Sequence, residues 1–165
     1  MEIRKATGAD LPVILSLYER ARAFMAENGN ASQWGTTNPP RSLIESDIAA
    51  GKSYVCIAEG KIAAVFYFAV EREPTYTVIS GAWQNDAPYG VVHRIASDGS
   101  TKGAGTFCLQ WALAQCGNIR IDTHRDNRPM QNLLAKLGFS YCGTIMIADG
   151  TERIAFQKQT EGRHA

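Results

Sequence analysis

The sequence is poor in the residues that would announce a specialised class. Its 165 residues hold four cysteines, Cys56, Cys108, Cys116 and Cys142. None forms a C-x-x-C pair, and each sits in an apolar strand or helix pattern, which excludes a disulfide scaffold and reads as buried, reduced thiols of a cytosolic protein. The three histidines, His93, His124 and His164, share no ligand spacing with the cysteines, so no metal is expected. No apolar run approaches a membrane span, and no membrane partner is expected. The opening MEIRKATGAD holds no apolar signal segment and begins at once with a strand pattern, so the expected location is cytoplasmic. Seventeen basic residues against sixteen acidic ones leave a net charge of +1, which argues against a dedicated nucleic-acid binder. There is no repeat, no low-complexity segment and no interdomain linker.

What is present is the composition of an ordinary globular domain, 45% apolar and 20% charged, long enough to bury a core without disulfides. One domain over residues 1–160 is expected, with a frayed tail at 161–165. Residues 2–6 read as a first strand. Thr7 and Asp10 make a near capping box, and Leu11, Ile14, Leu15, Tyr18, Ala21 and Met25 recur at helical spacing as far as Glu27. A loop carrying Trp34 and ending in Pro39-Pro40 leads to a second helix over 41–50. Strands at 53–58 and 61–71 flank the turn Glu59-Gly60, and the second, KIAAVFYFAVE, is apolar on both faces, as a central strand is. Residues 73–86 read as irregular. A closing hairpin, 140–148 and 152–159, turns at Asp149-Gly150-Thr151.

The chain is organised around residues 89–115, YGVVHRIASDGSTKGAGTFCLQWALAQ. Tyr89, Val91, His93 and Ile95 alternate with Gly90, Val92, Arg94 and Ala96, the period of a pleated strand. A turn-rich loop from Ser97 to Gly105 follows, and a helix should begin near Gly103 or Ala104. Strand, glycine-rich loop and helix in that order present bare backbone N–H groups to phosphate. Gly103 and Gly105 permit close approach, and Lys102 adds charge to the positive end of the helix. Neither familiar phosphate motif fits. Counted from Gly99, the second Walker A glycine falls on Ala104; counted from Gly103, the third glycine of a dinucleotide fingerprint falls on Cys108. On these residues alone a phosphate cradle and an ordinary strand-to-helix turn both stand.

Residues 118–124, NIRIDTH, read as another strand. Asp126-Asn127-Arg128-Pro129 then opens a helix over 130–137 that Gly138 ends before Phe139. Here the chain resembles the GNAT family of acyl-CoA-dependent N-acyltransferases. That family carries [Q/R]-x-x-G-x-[G/A] after its fourth strand, an Asn before its last long helix and Leu-Gly-Phe at that helix's end. The corresponding residues are Ser100-Thr101-Lys102-Gly103-Ala104-Gly105, Asn127 and Leu137-Gly138-Phe139. These motifs lie within residues 89–143, while the order of elements is similar over nearly the whole chain.

The resemblance implies an α/β (α+β) fold with a mixed, mostly antiparallel central sheet flanked by helices, in the order β-α-α-β-β-β-α-β-α-β-β. It implies acetyl-CoA as co-substrate, with the pyrophosphate on Ser100, Thr101, Lys102, Gly103, Ala104, Gly105 and Thr106. Pantetheine would pair with Ile95, Ala96 and Ser97 where the fourth and fifth strands splay, and Asn127 would contact the cofactor. The implied reaction moves an acetyl group to a primary amine of a small molecule or peptide by direct attack on the thioester. The acceptor carries no readable code, and a homodimer through edge strands is common among similar chains.

Two residues depart from the family pattern. Ser100 replaces the Gln or Arg that contacts pyrophosphate. Leu134, seven residues after Asn127, replaces a Tyr that protonates the departing thiolate; Tyr141 and Cys142 are candidate substitutes, set against a simpler position in the core or on the sheet surface. These departures motivate an alternative, a non-catalytic acyl-CoA-binding or regulatory module of the same fold.

The chemistry also needs a base for the ammonium. His93, Asp122 and His124 are the candidates, since only histidine has an ordinary pKa near neutrality. For His93 the competing reading is a structural histidine. Asp122 either orients a histidine or pairs with Arg94 or Arg120, and the pairing is favoured. Trp34, in a polar loop, is the candidate for the acceptor wall or else an anchor for that loop, whereas Tyr67, on a strand, reads as core.

Overall fold

The computed structural model describes residues 1–160, so the tail expected at 161–165 lies outside the described residues. In chain order the elements are β1 (Glu2–Lys5), α1 (Leu11–Glu27), α2 (Arg41–Ala49), β2 (Ser53–Ala58), β3 (Lys61–Val70), β4 (Ser80–Gly81), β5 (Gly90–Ser97), α3 (Ala104–Cys116), β6 (Asn118–Thr123), α4 (Arg128–Lys136), β7 (Ser140–Met146) and β8 (Glu152–Gln159). Short 3-10 turns lie at Gly8–Asp10 and Pro74–Tyr76. The entry into α1 is fixed by Asp10, whose carboxylate accepts from the Thr7 N–H at 2.8 Å and from two guanidinium nitrogens of Arg4 at 2.8 and 3.0 Å.

Among the described residues the strands form one sheet in the order β1-β2-β3-β5-β6-β8-β7-β4. Every pairing is antiparallel except β5 with β6. β3 is internal, as its two apolar faces require. Helices α3 and α4 cover one face, where Cys108, Leu109, Ala112 and Leu134 pack on Phe66, Phe68, Val92 and Ile121. Helices α1 and α2 cover part of the other, where Leu11, Ile14, Tyr18 and Ile44 pack on Val55, Val65 and Ala96. The rest of that face is closed by the 73–86 segment, whose Tyr76 is buried against Val91, Ile145 and Ala155. Burying side chains such as Ile14, Ile44 and Leu109 completely contributes about 1.5–3 kcal/mol each before entropy is counted.

Strand β4 is absent from the sequence reading of 73–86 as irregular. It is only two residues long, and it sits so close to β7 that a Cβ on Gly143, at φ +148°, would stand 2.2 Å from the Ser80 carbonyl oxygen. Two glycines meeting across a strand pair leave no hydrophobic period to read.

Two irregularities in β5 position the site. First, His93 pairs with Tyr67 but Ala96 pairs with Val65, so Arg94 and Ile95 together face Phe66 alone. This is a β-bulge, and Arg94 holds φ +51° within it. The bulge shifts the side-chain phase. Ala96, not Ile95 as simple alternation predicts, follows His93 on the α1 face, and Ile95 packs on the α3 face. Neighbours lock the bulge: the Tyr18 hydroxyl donates to the Arg94 carbonyl at 2.7 Å, and the Arg94 guanidinium makes two 3.0 Å bonds to Asp47 of α2. Second, β5 pairs with β6 only at Gly90–Ile119 and Val91–Arg120, while β6 stays paired to β8 along its whole length. From Val92 onward the two parallel strands diverge.

Candidate active site

The divergence opens two clefts that meet at Met25, Ile95, Asn127 and Met130. One, about 480 Å³, runs between α1 and α4 past Ala96, Ser97, Gly105 and Leu133. The other, about 420 Å³, is lined by Glu73, Tyr67, His93, Asp122 and Trp34.

The first cleft ends at the start of α3. Gly103 caps that helix at φ +80°, a left-handed conformation that side chains other than Asn and Asp rarely adopt. The Asp98 carboxylate occupies the beginning of the loop, accepting from the N–H groups of Ser100 at 3.0 Å and Thr101 at 2.8 Å and from the Thr101 hydroxyl at 2.7 Å. The Ala104 N–H is spent on the Thr101 carbonyl at 3.4 Å. Among the described residues, the amides of Lys102, Gly103, Gly105 and Thr106 have no acceptor. Four free donors stand at the positive end of a 13-residue helix with exposed Lys102 beside them, the arrangement that suits an anion. The free donors therefore begin at Lys102, because Asp98 has taken those of Ser100 and Thr101. Ile95, Ala96 and Ser97 line the cleft leading there, on the edge of β5 that β6 leaves unpaired. Asn127 caps α4: its side-chain oxygen accepts from the Met130 N–H at 3.1 Å, and its amide donates to the Gln33 side chain at 3.0 Å.

In the second cleft, His93 Nε2 lies 3.2 Å from Glu73 Oε2. Glu73 is held by its own turn, its other oxygen accepting from the Thr75 hydroxyl at 2.9 Å, while its N–H donates to the Tyr89 hydroxyl at 2.9 Å. The bond from His93 lowers the Glu73 carboxyl to about 2, against the opposing effect of burial. Facing an ionised Glu73, Nε2 is the donor, so in the neutral ring the lone pair falls on Nδ1. Among the described residues no group hydrogen-bonds Nδ1. Tyr67 and Tyr76 stand against the ring, with centroids 5.5 and 6.1 Å away. Tyr67, read from the sequence as core, instead lines the cleft, because β3 pairs with β5 directly opposite His93.

Asp122 lines the same cleft but pairs with neither arginine. Its Oδ1 accepts the Tyr76 hydroxyl at 2.6 Å; Arg94 is engaged by Asp47, and Arg120 lies between the rings of Trp83 and Tyr89, 4.5 and 4.1 Å from their centroids. Burial and the adjacent carboxylate hold the Tyr76 proton in place, pushing its pKa well up. His124 does not line the cleft. Its Nδ1 accepts the Asp126 N–H at 3.0 Å and its Nε2 meets the Ser32 hydroxyl at 3.2 Å, so both nitrogens are engaged at the strand's end. Burial first, and then the charge of Arg153, push its pKa down. Trp34 lines the cleft and also anchors its loop, packing edge-on against Tyr18 at 5.6 Å. Leu134 is fully buried in the core. Tyr141 is exposed on β7 and packs on Phe156, and neither it nor Cys142 reaches the cleft. Two of the four cysteines are fully buried and two partly so, and all four are free thiols.

The sequence reading missed Glu73. It sits in the segment taken as irregular, 20 residues before His93, and only the sheet brings the two together. The available signal was local: a Glu before Pro74 with Thr75 next caps a turn, so its carboxylate is held in place.

No protein-family model matches the sequence, and no curated protein does. Solved structures do. A GNAT-family acetyltransferase from Streptococcus agalactiae is 34% identical, with a TM-score of 0.88 over 97% of this chain and 95% of that one. The chain belongs to the GNAT family. A second GNAT-family acetyltransferase, from Listeria monocytogenes, shares the fold at 20% identity, with a TM-score of 0.69 over 96% of this chain and 94% of that one. A Salmonella typhimurium structure solved with its cofactor acetyl-CoA shares it at 17% identity, with a TM-score of 0.65 over 99% and 96%. The GNAT fold expected from the motifs, a mixed and mostly antiparallel sheet flanked by helices, is the fold observed. Among the described residues no helix is long and apolar enough to cross a membrane.

Proposed function

We propose that this GNAT chain transfers an acetyl group from acetyl-CoA to a primary amine, with His93 as the base and Glu73 as the carboxylate that orients it. The observation that carries the reading is the pairing of His93 Nε2 with Glu73 at 3.2 Å, which leaves Nδ1 open to the cleft at the point where β5 leaves β6. The free amides of Lys102, Gly103, Gly105 and Thr106 suit a pyrophosphate, and the unpaired edge at Ile95, Ala96 and Ser97 suits a pantetheine arm. Asn127, at the junction of the clefts, is the further cofactor contact.

In this reading the ammonium enters beside Glu73 and Asp122, whose negative charges favour it. His93 Nδ1 takes its proton, and the imidazolium formed is stabilised by Glu73. The neutral amine then attacks the thioester carbonyl, with a backbone N–H near Ile95 as donor to the oxyanion. Asp122 acts through Tyr76, packing the wall against which the imidazole lies. His124, with both nitrogens engaged, is the weaker candidate for a relay, and Trp34 is a wall for the acceptor. With Leu134 buried where a tyrosine acid would stand, the departing thiolate takes its proton from water.

That same leucine favours a second reading, a module that binds acyl-CoA without turnover. Thiol release from acetyl-CoA, followed across a panel of amines with purified protein, separates the two. Steady amine-dependent release supports the enzyme; calorimetric binding of acetyl-CoA with no release for any amine supports the module.

A further inference from the structure

Arg153 is the one arginine of the acceptor cleft that, among the described residues, no carboxylate bonds directly; Asp149 reaches it only through the Thr151 hydroxyl. Arg153 lies on β8 and lines the cleft, though the residue is only 6% exposed. Its guanidinium reaches neutral acceptors alone: the Thr151 hydroxyl and the Glu152 carbonyl at 3.0 Å each, and the Gln33 carbonyl at 3.3 Å. Among the described residues it joins no ion pair. The other charges of the cleft are accounted for. Arg94 is bound by Asp47, Glu73 by His93, Asp122 by Tyr76, and Asp149 accepts the N–H and hydroxyl of Thr151. A buried guanidinium that no carboxylate bonds directly is costly, and a cleft is where such a cost has a use.

The cleft is thus bipolar. Asp122 pairs with Ala155 across β6 and β8, and Arg153 lies two residues along from Ala155, on the same sheet face. His93 shares that face, because Val91, two residues before it, packs with Ala155 and Tyr76. From His93 across Asp122 to β8 is more than two strand spacings, over ~10 Å between backbones, because β5 and β6 diverge from Val92 onward. Glu73 and Asp122 stand at one end of this path, and at the other is the Arg153 guanidinium, with Asp149 behind Thr151.

We propose that the acceptor is a small zwitterionic amine whose anionic group, a carboxylate or a phosphate, docks on Arg153 while its ammonium meets His93 and Glu73. The guanidinium keeps donors for such a group, and charge-assisted pairing with a carboxylate or phosphate is what its fork geometry suits. This inference rests on the acetyl-transfer reading for its direction along the cleft, but its binding component stands apart from turnover.

The test uses matched amines: γ-aminobutyrate with its amide, ε-aminocaproate with its amide, and phosphoethanolamine with ethanolamine. Binding is measured by calorimetry with coenzyme A present, and turnover by thiol release from acetyl-CoA. The anionic member of at least one pair should be favoured ~10-fold or more, chiefly in Kd and KM, and the pair concerned tells carboxylate from phosphate. Arg153→Gln should collapse that ratio towards one, and Arg153→Lys should retain part of it. Because each ratio is taken within one preparation, partial loss of folded protein does not alter it. Equal binding of both members in every pair, no binding at all, or a ratio that survives Arg153→Gln overturns the proposal. Anion-selective binding without thiol release sustains it and counts against acetyl transfer; thiol release with neutral amines alone does the reverse.

Discussion

Glu73 and His93, 20 residues apart in sequence, meet at 3.2 Å on a cleft wall that neither of their own elements builds alone. Glu73 caps a turn in the segment after β3, and His93 stands on β5 just before the bulge at Arg94. The carboxylate holds one imidazole nitrogen and so sets which nitrogen carries the lone pair.

Glu73→Gln should lower kcat by ~10-fold or more, since an amide neither stabilises an imidazolium nor enforces the same tautomer. The affinity for acetyl-CoA should stay as in the wild type, because among the described residues the Glu73 side chain hydrogen-bonds only with His93 and Thr75. Steady-state kinetics and calorimetry on one preparation check both. A full kcat in Glu73→Gln would reduce the carboxylate to a turn cap.

The phosphate cradle is tested at Gly103 with a matched pair. Asn and Asp both tolerate its φ of +80°, so the two substitutions share the same backbone cost. They differ by a negative charge facing the free amides of Lys102, Gly105 and Thr106. Gly103→Asp should weaken acetyl-CoA binding ~10-fold more than Gly103→Asn, by electrostatic opposition at a helix start. Equal affinities for the two variants would remove the basis for the cradle.

The fold should lose stability in acid over a defined window. Asp10 is held at about 2, first by its bond from Arg4, and Glu73 at about 2, first by its bond from His93, against ordinary values of 3.8 and 4.5. Both folded values are depressed, so the unfolded chain binds protons first as pH falls. The stability they add is whole above their ordinary values and is lost as pH drops through about 2. Melting temperature followed from pH 6 to pH 2 should therefore fall below about 4.5. The gap between the wild type and Asp10→Asn should close over the same range; a gap that persists to the acid end would contradict the role given to Arg4 and Asp10.

The sequence made the long elements legible because each carries a period. The α1 stripe of Leu11, Ile14 and Tyr18, the continuous apolar run of β3, the helix start at Gly103 and the stop at Gly138 all fall where they read. What did not read are features made by contact between segments. The bulge at Arg94 moves Ala96 onto the face where alternation puts Ile95, and its left-handed arginine is held by Tyr18 and Asp47, 76 and 47 residues away. Asp122 could not be paired from sequence because Tyr76 reaches it from 46 residues earlier. The site shows the same division. His93 was legible as a titratable residue beside a phosphate-type loop, whereas Glu73 and Arg153 became visible only when the sheet set them around it.

The role of His93 is decided by the kcat of His93→Ala, measured on protein shown by calorimetry to bind acetyl-CoA like the wild type. Removing the base should lower kcat by ~10²-fold or more and flatten the acidic limb of the pH–rate profile, while the pyrophosphate loop, on a separate segment, keeps its affinity. A near-normal kcat with the acidic limb intact, accompanied only by a lower melting temperature, would make His93 a structural residue and contradict the account.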